Sequence, residues 1–137
     1  MQFRNSMRAR VVVGLMIAGC LFISQAAADE VEKLVFLVVE KDEVIASNTR
    51  LGRFDRLELN AREKLLEYKS SSAVAVVVTN QRFVAYGVFH GAWNSRRVQA
   101  GEKLQSMEVA DYSATLVTSD RILNYYGRTG VWSYTKR

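Results

Sequence analysis

The sequence predicts an all-β domain of tandem four-stranded antiparallel repeats, and three observations carry that prediction. The chain matches itself without gaps at a shift of 39 residues: "VVVTNQRFVAYGVFHGAW" (Val76–Trp93) is followed by "TLVTSDRILNYYGRTGVW" (Thr115–Trp132). Within each unit, Val-rich runs break at a polar pair and resume at once, as hairpins do. Each unit then reaches a glycine turn followed by an aromatic residue. Agreement at a period near 40 is the mark of a repeat architecture.

The elements follow in chain order. "MQFRNSMRAR", with Arg4, Arg8 and Arg10, precedes the apolar run "VVVGLMIAGCLFI" and then "SQAAADE". A basic head, a short apolar core and small residues at Ala26–Ala28 are what a signal peptidase reads, so residues 1–28 are expected to be a signal peptide cleaved after Ala28. The run is short for a membrane span of about 20 residues. "IAGC" also resembles the lipobox of bacterial lipoproteins, with Cys20 as the lipidated residue, although Leu21-Phe22-Ile23 extends the apolar core where a polar tether is usual.

The body, residues 29–137, divides into units at about 34–62, 63–101 and 102–137. Val39 aligns with Val78 and Val117, Ala46 with Ala85, and Gly52 with Gly91 and Gly130. Phe54 aligns with Trp93 and Trp132, and Glu63-Lys64-Leu65 with Glu102-Lys103-Leu104. In the two later units Thr79, Arg82 and Tyr86 match Thr118, Arg121 and Tyr125. Hairpins are predicted at Lys41-Asp42, Asn80-Gln81 and Ser119-Asp120. A third strand carries the aromatic, in "RFDRLELN", "AWNSRRVQ" and "VWSYTKR". "EKLLEYKS" and "EKLQSMEVAD" lead into the next unit as strands. The leucine spacing of residues 57–70 would allow a helix, but Gly101 at the middle of the aligned segment argues for a turn. The first unit lacks its leading strand, so eleven strands are expected.

Short antiparallel strands in units of this length resemble the blades of a β-propeller. The resemblance covers nearly all of residues 34–137, is architectural, and brings no functional residues with it. It implies a propeller-like partial ring, because fewer than three full blades fall short of the four to eight that close a propeller. The arc would leave faces and edges open, unless two or more chains complete one ring. The alternative is a β-trefoil, which also has three four-stranded repeats, although the Gln-x-Trp pattern of its ricin-type variant is missing.

Charge narrows the function classes. The whole chain has 19 basic and 14 acidic residues, +5, but three of the basic residues lie in residues 1–28 with no acid, leaving 16 and 14, or +2. A basic pI is therefore partly a feature of the leader, and nucleic acid is not an expected partner. The only cysteine is Cys20, so the body has none, and packing alone must hold it together.

No catalytic constellation emerges, and the chain is expected not to be an enzyme. His90 is the only histidine, beside a turn glycine, with no partnered acid or nucleophile. Metal-ligand spacings and phosphate-binding loops are missing, so no cofactor and no metal is expected. Asp42 and Asp120 read as turn formers. Trp93, Trp132, Tyr86 and Tyr125 are the candidate ligand-binding residues, since aromatics placed once per unit can stack on sugars. The alternation of Phe54, Trp93 and Trp132 with polar neighbours also fits a repeated core, and that reading is preferred for all three, while the tyrosines read as buried with their hydroxyls reaching solvent. Arg82 and Arg121 read as cross-strand partners of acids, or as part of a surface for an anion.

The expected function is that of an exported, non-enzymatic binding protein of the bacterial cell envelope, periplasmic or secreted. Its expected partners are further copies of itself or another envelope protein. The alternatives are a small carbohydrate-binding protein and a lipoprotein held through Cys20. Membrane contact is expected only through the signal or a lipid anchor.

Overall fold

The computed structural model describes residues 32–137. The expected signal peptide, its cleavage after Ala28 and lipidation at Cys20 lie outside the described residues.

Eleven strands and no helix make up the described chain. The first sheet contains β1 (Val35–Val39), β2 (Glu43–Asn48) and β3 (Arg53–Glu58). The second contains β4 (Leu65–Ser70), β5 (Val74–Thr79), β6 (Arg82–Gly87) and β7 (Ala92–Arg97). The third contains β8 (Leu104–Val109), β9 (Ser113–Thr118), β10 (Arg121–Tyr126) and β11 (Val131–Lys136). Each is an antiparallel meander whose strands pair in sequence order. Strands pair within a unit and not between units, which excludes the trefoil alternative, whose barrel is closed by pairing between repeats. The observed arrangement is three sheets in tandem.

The period is kept down to irregularities. A bulge at Leu65/Glu67, where β4 meets β5, recurs at Leu104/Ser106, where β8 meets β9. Gly101 has φ +75°, and its counterpart Arg62 is forced into the same left-handed region at φ +63°. That turn is why residues 57–70 do not continue as a helix.

Burial follows from stacking. One face of each later sheet packs on the opposite face of the sheet before it, so the middle sheet is covered on both sides. Every residue of β5 is buried, and its sequence VAVVVT is apolar almost throughout. Ala75, Val77, Val84 and Tyr86 face the first sheet's Val35, Val44, Ala46 and Leu57. Val74, Val76, Val78, Phe83 and Ala85 face the third sheet's Ala114, Leu116, Leu123, Tyr125 and Trp132. In the outer sheets burial alternates, as in β9, which is SATLVT. β1, VFLVV, is apolar on both faces like β5, yet Phe36 and Val38 are exposed.

Candidate functional site

The four aromatic candidates lie at the two junctions between sheets and are built twice. The Tyr86 and Trp93 rings sit 5.2 Å apart, tilted by 53°, and the Tyr125 and Trp132 rings 5.2 Å apart, tilted by 51°. Trp93 Nε1 donates to the carbonyl of Asp55 at 3.1 Å, and Trp132 Nε1 to that of Asn94 at 3.1 Å. Tyr86, Tyr125 and Trp132 are buried and Trp93 half-buried, so they are core residues here.

Two expectations about these rings need correcting. The tyrosine hydroxyls do not reach solvent. Tyr86 OH accepts from Asn48 Nδ2 at 2.9 Å and donates to the Asp55 carboxylate. Tyr125 OH has Asn94 and the Gly87 backbone as neighbours, yet it is the one buried side-chain polar atom without a hydrogen bond among the described residues. Burial pushes both hydroxyls up to about 12, with the Asp55 carboxylate adding to the shift at Tyr86. Phe54, the counterpart of the tryptophans, is not a core residue either. It is 69% exposed, because no sheet among the described residues stands before the first.

A second pair of clusters went unread as a set in the sequence, although its members share the period. Glu63 precedes β4, Thr79 ends β5 and Arg82 starts β6, so the hairpin and the loop before it bring them together. Thr79 Oγ1 donates to Glu63 Oε2 at 2.6 Å, and Arg82 grips the same carboxylate through Nε at 2.8 Å and Nη2 at 3.0 Å. Thr118, Glu102 and Arg121 repeat this at 2.6, 2.8 and 3.0 Å. The Asn60 N–H and the Gln99 N–H supply a further donor to each carboxylate. Burial would raise both carboxyls, but the arginine, threonine and backbone hydrogen bonds outweigh it and hold them below their ordinary 4.5.

Each arginine also reaches back to the preceding unit: Arg82 Nη2 donates to the Glu58 carbonyl and Arg121 Nη2 to the Arg97 carbonyl, both at 2.8 Å. Arg82 and Arg121 are therefore clamps between units, bonded to a loop glutamate. Thr79 and Thr118 also do the turn-forming work expected of the hairpin aspartates, since their hydroxyls accept from the amides of Gln81 and Asp120. With all four acceptor sites of each carboxylate engaged, these carboxylates are structural rather than poised for proton transfer.

Two further surface features are the outward sheet faces. The first sheet presents Phe36, Val38 and Phe54, and the third presents Tyr126 and Val131. On the third, a hollow of about 550 Å3 is lined by Ser113, Thr115, Asn124, Tyr126, Val131 and Ser133, among others. His90 lies on the last loop of the second unit, its ring over Gly130, where an added Cβ would come within 2.4 Å of it. It is a contact between units. Arg50 and Arg128 stack on Phe89 at 4.6 and 4.9 Å, tying the loops of all three units together.

Comparison with known proteins finds no matching family model, curated protein or solved structure.

Proposed function

We propose that this chain is an exported, non-enzymatic interaction protein of the bacterial cell envelope, and that it binds protein partners through the outward faces of its first and third sheets. The observation that carries the reading is the contrast between the sheets. The middle one is buried on both faces, whereas β1, equally apolar on both, leaves Phe36 and Val38 uncovered beside Phe54. Large apolar side chains gathered on one open face mark an interaction surface.

Export follows the layout of residues 1–28. The test is a photo-crosslinking residue at position 54 in cells, together with fractionation and the N-terminal residue and mass of the processed chain. Protein adducts at position 54 in an envelope fraction are expected. An intact N-terminus in the cytoplasmic fraction, or no adduct at any position on either outward face, would overturn the reading.

The carbohydrate alternative has one observation in its favour, the hollow in which Tyr126 stands among Asn124, Thr115 and Ser133. Fluorescence that does not respond to a broad glycan panel would remove it.

A further inference from the structure

We infer that the partner on the outward face of the first sheet is a second copy of this chain, docked by its third sheet in the same register that joins sheet to sheet within one chain. The inference rests on the proposed role of that face and adds the occupant and its geometry.

The two internal junctions are copies of one another and define how one unit sits on the next. The Leu34 N–H donates to the Ser72 carbonyl at 2.6 Å, and the Ala73 N–H to the Asp111 carbonyl at 3.1 Å. Trp93 lies on Asp55 and Trp132 on Asn94. Leu51 and Arg53 cover Gly91, and His90 covers Gly130. One more step of 39 residues leaves the chain and returns to its own beginning. Phe54 of a second copy then falls on Ser133, the counterpart of Asp55 and Asn94, at the open hollow of about 550 Å3. Thr129 would cover the second copy's Gly52.

Three observations favour this step. Gly52 is the one of the three turn glycines with nothing within 4 Å of an added Cβ, as expected if its cover comes from another molecule. The apolar face that needs covering carries Phe36, Val38 and Phe54, and the receiving face offers Val131, with Val117 and Ile122 half-buried beside it. Tyr126, the counterpart of Gly87, where an added Cβ would come within 2.1 Å of the next unit's Gly127, must turn aside to admit the second copy. Part of the polar surface on that face is already paired, since Thr115 Oγ1 donates to Asn124 Oδ1 at 2.9 Å, which lowers the cost of covering that hydroxyl.

Where Arg82 and Arg121 reach the main-chain carbonyls of Glu58 and Arg97 in the preceding unit, the same step brings Glu43 of the second copy to the main chain at the end of β11. Glu40 and Asp42 stand beside Glu43 in an acidic corner. A like-charge approach opposes this, because Arg128 comes near Arg50 of the second copy, although each is stacked on Phe89 of its own chain. The contact is heterologous, one face on a different face, and such contacts close into rings when the rotation allows. Two copies joined at both seams give six units, within the four to eight of closed rings of this kind.

The experiment uses protein purified from cells expressing the full chain, with sedimentation equilibrium as the readout. A two-chain mass is expected. Phe54→Asp is expected to weaken association by about 30-fold or more, as loss of a central aromatic does. A Phe54→Cys, Ser133→Cys variant is expected to be bridged between chains by a short bis-maleimide reagent, and Phe54→Cys alone is not, stacked sheets lying about 10 Å apart.

A single-chain mass throughout the micromolar range overturns the inference, as does efficient bridging of two chains by Phe54→Cys alone, which would place like faces together. If the chain stays single but position 54 still crosslinks to a different envelope protein, the second copy is refuted and the interaction role survives. If neither a second copy nor any other protein is found there, both fail.

Discussion

Replacing Glu102 with alanine removes the acceptor shared by Arg121, Thr118 and the Gln99 amide, and leaves a guanidinium whose side chain is only 7% exposed. An arginine stranded in that way cannot be rehydrated without opening the junction between the second and third sheets. Breaking one partner out of a buried pair costs about 3–5 kcal/mol, most of it the cost of the charge left behind. The same change at Glu63 leaves Arg82, whose side chain is 21% exposed, free to turn toward water, so a loss of about 1–3 kcal/mol is expected. The two clusters agree in their hydrogen-bond distances, so exposure is the variable that separates them. Urea unfolding followed by circular dichroism reads the difference as a change in midpoint at constant slope. A Glu102→Leu, Arg121→Leu double variant is expected to regain part of the loss, because no charge is left buried, although the Gln99 N–H and the Arg97 carbonyl lose their partners. If Glu63→Ala proves as costly as Glu102→Ala, or if the double variant is no better than the single, then desolvation of the arginine is not what governs the junction.

Other outcomes follow from single features. Arg62→Gly is expected to stabilise the protein by about 1 kcal/mol in thermal unfolding, because φ +63° strains any residue with a Cβ and Gly101 occupies the same turn without strain. Tyr125→Phe is expected to be neutral or slightly stabilising, since its hydroxyl has no partner. Tyr86→Phe removes one partner each from Asn48 and Asp55, which keep the Val88 carbonyl and Arg53, and is expected to cost about 1 kcal/mol in the same assay. Glu63 and Glu102 hold their protons less tightly folded than unfolded, so their stabilisation is present above 4.5 and is lost as pH falls through their lower folded values. Acid titration of the unfolding midpoint should therefore decline below 4.5, and less steeply in Glu102→Gln. Tyr86 and Tyr125 keep their protons longer folded than unfolded, so stability is expected to fall as pH rises from 10 toward about 12, and Tyr86→Phe to shallow that fall.

The aromatic positions show how far the sequence could be read. The common pattern of Phe54, Trp93 and Trp132 placed all three on one face of the strand after the glycine turn, and they are there, on β3, β7 and β11. Only stacking distinguishes them, because two have a preceding sheet to pack on and Phe54 has none among the described residues. The Glu–Thr–Arg clusters had a sequence signal, three residues recurring together at the period, but nothing in linear spacing says that a loop glutamate 16 residues from a hairpin threonine lies within 2.6 Å of it. That distance follows from β4 and β5 running antiparallel. The buried tyrosine hydroxyls were likewise beyond reach, because whether a ring edge meets water depends on the neighbouring sheet.

Strand number, hairpin positions, glycine turns and the period of 39 were determined by the sequence alone, since φ preferences, side-chain alternation and hairpin closure act over a few residues. Which face of each sheet is inside, which arginines are clamps and which aromatics stand open were decided only by the tertiary structure. The physical reason is that every unit carries nearly the same local instructions, so burial is set by whether another sheet stands beside it.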